Sequence, residues 1–219
     1  MGGGNPATAV DNHRMLAVDH LMVGVSDLAA TAARWRSKWE LIAVEGVRFD
    51  QAPGWGNWVV PLGDTWIELL GLIDAEAAGA DPRAEMFSRV VAAGDRLLGW
   101  ALAPDDLDAV ADRVGLPALS STSTGVRTGE RTEWRQVGFD ETRTEPYLPF
   151  FVAPPMRIQL MNAIANPRST PSRVRMELSG DPQRLKQWLG DIEAPFSIEA
   201  GPPALAAHIR TAAGGFVLR

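Results

Sequence analysis

The chain has no cysteine, so it can form no disulfide and offers no thiolate for catalysis or metal binding; the absence fits a reducing compartment. It also lacks any apolar run near the roughly 20 residues needed to span a bilayer. Even the stretch from Trp66 to Ile73 is interrupted by Glu68. Basic residues are in deficit: 21 Lys and Arg stand against 27 Asp and Glu, a formal charge of -6, without the basic footprint that nucleic acid or an anionic membrane surface requires. No GxxxxGK[ST], GxGxxG or GxSxG occurs, so nucleotide binding and serine hydrolase chemistry have no support. The opening MGGGNPATAV has no basic segment followed by an apolar one, and Pro6 spoils a myristoylation reading. Together these absences lead us to expect a soluble, cytoplasmic chain without nucleic acid or membrane partners, and leave monomer and homodimer both open.

What is present begins at MLAVDHLMVGVSDL, residues 15–28. Alternation puts Leu21, Val23 and Val25 on one face of a strand and His20, Met22 and Gly24 on the other. Ser26 and Asp27 then start an alanine-rich helix over 28–39. The same order returns 79 residues later, where LGWALAPDDL again ends in Asp-Leu before an alanine-rich helical stretch. Two similar modules follow from that repeat.

The first module, residues 15–73, continues with a strand over 40–47, a loop over 48–56 and a hairpin of 57–62 with 65–72 about Gly63-Asp64. Its last strand sets Trp66, Glu68 and Leu70 opposite Ile67 and Leu69. Residues 74–96 are a connector with a short helix after Asp81-Pro82. The second module, 97–165, has a strand, a helix, a polar loop over 120–129, strands at 132–139 and 148–153, and a closing strand over 156–163. After a tail of 14 residues and these modules, residues 166–219 give a linker and a shortened β-α-β-β unit. The fold class is α+β: two paired β-α-β-β-β modules with curved mixed sheets around a cavity, plus that smaller C-terminal unit.

These paired modules, together with Asp19-His20-Leu21, GWGNWVVPLGDTWIELLGL, and Trp134-Arg135 followed by LPFFV, resemble the glyoxalase-like members of the vicinal-oxygen-chelate superfamily over residues 15–165. The resemblance implies two modules curved about a cavity, with a divalent metal (zinc, nickel, manganese or iron) where their inner faces meet. Its first-module ligands fall on His20 and Glu68. The second-module histidine falls on Gly99, and the second glutamate falls on Gln159, where IQLMNA echoes IELLGL. Two full donors and a neutral one imply a metal held weakly or not at all. His20 and Glu68 are therefore the candidate catalytic pair, as metal ligands with Gln159 or as a metal-free dyad. Trp58, Trp66, Trp134 and Arg157 are candidate ligand contacts, with the arginine suited to a carboxylate or phosphate. A small-molecule binding protein with an aromatic cavity and a degenerate metal site is one reading. A metal-dependent lyase, isomerase or dioxygenase is the other.

Overall fold

Strand β1 (Val18–Gly24) runs into helix α1 (Leu28–Trp39) through Asp27, whose carboxylate accepts a hydrogen bond from Ala30 N at the helix start. The helix buries Leu28, Thr31, Ala32 and Trp35, an i, i+3, i+4, i+7 stripe that forms one packed face. It ends at Glu40 in the left-handed region (φ 56°), so the following strand starts later than the apolar pattern predicts: β2 is Val44–Phe49. Strands β3 (Trp55–Leu62) and β4 (Thr65–Leu72) form the expected hairpin. The computed structural model describes residues 18–63, 65–154, 173–192 and 196–219.

Helices α2 (Ala75–Ala78) and α3 (Pro82–Val91) follow, the latter capped by Asp81 with proline in its first turn. Strand β5 (Arg96–Leu102) and helix α4 (Leu107–Val114), capped by Asp106, repeat the β1–α1 unit. Three strands complete the second module: β6 (Leu119–Gly125), β7 (Arg131–Val137) and β8 (Phe150–Ala153), with a 3-10 turn at Asp140–Arg143 before the last. The expected loop over 120–129 is thus largely a strand. Its LSSTSTG sequence has no apolar alternation because it is a half-buried seam strand, held by β7 on one side and β2 on the other. In consequence the strand equivalent to β4 is β8, not residues 156–163, which lie outside the described residues.

The eight strands close a barrel in the order β1-β4-β3-β2-β6-β7-β8-β5. Pairs β1–β4 and β5–β8 are parallel, and the modules meet along two antiparallel seams, β1–β5 and β2–β6. The relation between halves is an approximate two-fold. Exchanging His20 with Gly99 and Met22 with Ala101, the 79-residue offset, converts the observed pair His20↔Ala101 into the observed pair Met22↔Gly99.

The main hydrophobic core lies outside this barrel. Leu21, Val23, Ile67 and Leu69 pack outward with Leu28 and Trp35 of α1. Residues 173–219 cover a further part of the outer surface with strands β9 (Arg173–Gly180), β10 (Ile198–Ala200), β11 (Ala204–Thr211) and β12 (Gly214–Leu218), in the order β10-β9-β11-β12, and helix α5 (Pro182–Leu189). This sheet shares the barrel's core: Trp39 stacks on Phe216 at 3.7 Å, Leu97 N donates to Arg219 O at 3.0 Å, and Trp188 Nε1 donates to Pro149 O at 2.8 Å. No helix among the described residues is long and apolar enough to cross a membrane.

Because the outer sheet and the barrel share one core, Trp188→Ala should lower the unfolding free energy by about 3–5 kcal/mol while leaving a single cooperative transition. Urea unfolding followed by fluorescence and by far-UV circular dichroism checks this; two separated transitions would contradict it.

Candidate functional site

The floor of the barrel interior is built around a bulge in β1. Val18 pairs with Leu102 and His20 with Ala101, so Asp19 is an extra residue in the ladder. The irregularity brings the Asp19 carboxylate beside the imidazole of its neighbour, and His20 Nδ1–H donates to Asp19 Oδ2 at 2.8 Å, both groups buried. A carboxylate acceptor on Nδ1 selects that tautomer of the neutral ring and leaves Nε2 as an acceptor. Nε2 faces Glu68 Oε2 across 3.7 Å, too far for a hydrogen bond. The imidazole stacks on Trp66 (4.4 Å between centroids, 28°) and meets the edge of Phe150 at 5.4 Å.

Glu68 is only 7% exposed, and a buried carboxylate needs a donor. Asn57 Nδ2 supplies it, donating to Oε1 at 2.6 Å, while Asn57 Oδ1 accepts from Val47 N at 2.8 Å. A backbone N–H can only donate, so the Asn57 amide has one allowed orientation, with Nδ2 toward Glu68. The space for this amide comes from an irregularity in β2 between Glu45 and Arg48 and from Gly46, where a Cβ would lie 2.1 Å from Asn57 Oδ1.

The two-fold relation gives the counterpart of each group. Met22 pairs with Glu68 as Ala101 pairs with Phe150, so Phe150 stands where the first module has its glutamate. Gly99 stands for His20. Asn57 pairs with Leu70 as Gln136 pairs with Val152, which matches the two amides, and two residues earlier Trp55 matches Trp134. In this relation the position equivalent to Glu68 falls on Phe150, whereas the sequence echo places it on Gln159; Gln159, like Arg157, lies outside the described residues. Of the four positions where the resemblance implies metal ligands, two carry donors. A side chain at Gly99 would have ordinary room, with Met22 Cε and Thr142 both 3.6 Å from its Cβ. Among the described residues no group of three His, Cys, Asp or Glu could hold a metal ion. Among the described residues the site therefore supplies two ligands, His20 and Glu68, one short of the about three protein ligands that a catalytic metal site uses.

His20 and Glu68 open onto a cavity of about 510 Å³. Phe49, Trp55, Trp134, Phe139 and Phe150 supply aromatic walls, Met86, Phe87 and Val90 of α3 bound one side, and Arg83, Arg96 and Arg143 also line it. Gly24 lets α3 approach: a Cβ there would lie 2.8 Å from Leu98 Cδ1 and 3.0 Å from Phe87 Cε2 and Val91 Cγ1. The remaining expected contacts divide. Trp134 is in the wall, its buried indole N–H without a partner among the described residues; Trp66 lies beneath the imidazole, away from the wall. Trp58 is on the wrong face: its neighbour Val59 pairs with Glu68, so Trp58 turns outward against Ala29, Ala32 and Ala43. Reasoning from residue type missed Asp19, Asn57 and Gln136. Of these Asn57 was within reach, since the hairpin about Gly63 sets it diagonal to Glu68 on the inner face.

Trp55 Nε1 and Arg83 both donate to Asp81, which holds α3 against this wall (3.1 Å, and 2.7 Å from Arg83 Nη2). The Arg83 hydrogen bond pulls the Asp81 carboxyl down to about 2 from its ordinary 3.8. A depressed folded value stabilises the protein above the ordinary range, and that stabilisation is lost as pH falls from about 4 toward about 2. Asp81→Asn, which keeps the helix cap, should therefore be less stable than wild type at pH 6, with the difference shrinking as pH falls through that window in urea titrations. Asn57→Leu should cost about 2–3 kcal/mol, because it strands a buried carboxylate; Asn57→Leu in combination with Glu68→Gln should recover part of that loss.

Comparison with known proteins agrees with the geometry. A glyoxalase-like domain model matches residues 18–189. No curated protein matches the chain. Among solved structures, a hypothetical protein from Staphylococcus aureus is similar with a TM-score of 0.60 at 12% identity, over 94% of this chain and 99% of its own. A methylmalonyl-CoA epimerase variant from Streptomyces coelicolor gives 0.42 at 18% identity over 64% and 94%, and the Mycobacterium tuberculosis epimerase gives 0.40 at 17% over 67% and 98%. With most of its length matched by that domain model and the paired-module barrel it carries, the chain belongs to the glyoxalase-like family of the vicinal-oxygen-chelate superfamily.

Proposed function

We propose that this protein binds a small organic molecule inside the barrel and that His20 and Glu68 receive its polar end. One observation carries the reading: His20 Nε2 and Glu68 Oε2 face each other over 3.7 Å on the cavity, while Asp19 and Asn57 occupy their far sides. With the ring in its neutral Nδ1–H tautomer these are two acceptors facing one space, complementary to a ligand hydroxyl, an amide N–H or an acidic proton. The same atoms have the reach of a general base toward a ligand placed there. Aromatic walls favour a flat or branched apolar body for the rest of the molecule.

The superfamily's divalent ion supplies Lewis acidity when bound, but with Gly99 and Phe150 at two ligand positions the protein is read as a binding member with a reduced metal site. Metal-dependent lyase, isomerase or dioxygenase chemistry is favoured by one feature, the Asp19–His20 hydrogen bond, since ligating histidines are commonly held by a carboxylate on the other ring nitrogen.

Elemental analysis separates the two. Protein purified without chelator should hold well under one zinc, nickel, manganese or iron per chain, whereas Gly99→His combined with Phe150→Glu, which completes the two-fold set, should raise the content toward one. Stoichiometric metal on the unmodified chain, lost in His20→Ala, would overturn the binding reading in favour of the enzyme.

A further inference from the structure

We infer that the ligand is an amphipathic anion, with an apolar body along the aromatic walls and a terminal carboxylate or phosphate at Arg96. This deepens the binding reading above and rests on it. The chain as a whole carries a formal charge of -6, yet the cavity lining holds three guanidinium groups and a single carboxylate, Glu68 at the floor. The three arginines differ in what already satisfies them. Arg83 is engaged by Asp81 through Nε and Nη2, and Arg143 Nε stands 3.6 Å from Asp140 Oδ1. Arg96 has no ion-pair partner among the described residues, so it is the cation whose charge is free to meet a ligand.

Its position sets the size of that ligand. In the β1–β5 ladder Arg96 pairs with Gly24 and Ala101 with His20. Four residues along β1 separate the two pairs, about 13 Å at about 3.3 Å per residue. Between them the cavity offers Met22, Leu70, Leu97 and Leu98, none of which can pair with a charge. A molecule that reached from the floor to Arg96 would therefore have polar groups at both ends and an apolar middle. Met86 and Val90 of α3, which also line the cavity, are 49% and 42% exposed, an apolar lip that disfavours a uniformly polar ligand. Guanidinium binds carboxylate and phosphate oxygens through two parallel N–H groups, so both headgroups remain open on chemistry alone.

Two dyes that share an aromatic body test this: anilinonaphthalene sulfonate, which is anionic, and N-phenylnaphthylamine, which is neutral. Wild type should bind the sulfonate more tightly, and Arg96→Gln should weaken the sulfonate by about tenfold with little change for the neutral dye. Arg89→Gln, which removes the same charge from the outer face of α3, should change neither. Raising salt from about 0.05 to about 0.5 M should weaken the sulfonate in wild type more than in Arg96→Gln. Displacement of the dye by decanoate, decyl phosphate and decanol then tells carboxylate from phosphate; at least one anion should outcompete decanol. If both dyes bind and Arg96→Gln affects neither or both alike, or if decanol competes as well as the anions, the inference about charge is overturned and the cavity reading stands. If neither dye binds, both are overturned.

Discussion

A carboxylate buried inside a barrel imposes a condition on everything around it. Glu68 is almost fully removed from water, so a donor must be held beside it, and the donor chosen is an amide with an acceptor of its own to satisfy. Val47 N answers that second need, and it can do so because β2 is irregular there and Gly46 has no side chain to block the Asn57 amide. A single buried charge thus reaches through one amide to the backbone of a third strand. The result is a preset floor: Glu68 Oε1 is committed, Oε2 is left over, and His20 is turned by Asp19 so that its free nitrogen meets that remaining oxygen. At 3.7 Å neither atom hydrogen-bonds the other.

The two halves of the barrel share a backbone plan and differ in chemistry. His20 and Glu68 in one half stand against Gly99 and Phe150 in the other, while Trp55 with Asn57 stands against Trp134 with Gln136. With two donors in one half and none at the equivalent positions of the other, the interior is polar on one wall and apolar on the facing wall. The outer sheet β10-β9-β11-β12 covers outward-facing apolar side chains of the barrel.

Much of this was legible in the sequence. Asp27 as a cap, the buried stripe of α1, the hairpin about Gly63 and the shared inner face of His20 and Glu68 all follow from local periodicity, and the 79-residue offset proves to be the barrel's two-fold relation. What escaped depends on pairing between distant strands. LSSTSTG has no alternation of apolar residues, so sequence pattern alone makes β6 a loop and counts the later strands one place late, at Gln159 where the barrel's two-fold relation has Phe150. Aromatic character suggests Trp58 for the cavity, but its alternation with Val59, the partner of Glu68, turns it outward. Asp19 should point away from His20 by simple alternation; only the bulge against β5 brings them together, and no single-strand pattern reveals a bulge.

The eight tryptophans offer a direct test of where a ligand sits, because they divide between the barrel interior and its outside. In a titration of nitrogen-labelled protein with anilinonaphthalene sulfonate, the indole N–H resonances of Trp55 and Trp134, which line the cavity, should shift in proportion to occupancy while those of Trp35, Trp58 and Trp188 stay in place. Shifts confined to Trp35, Trp58 and Trp188 would show that small molecules bind outside the barrel and that the His20–Glu68 floor is not a binding site.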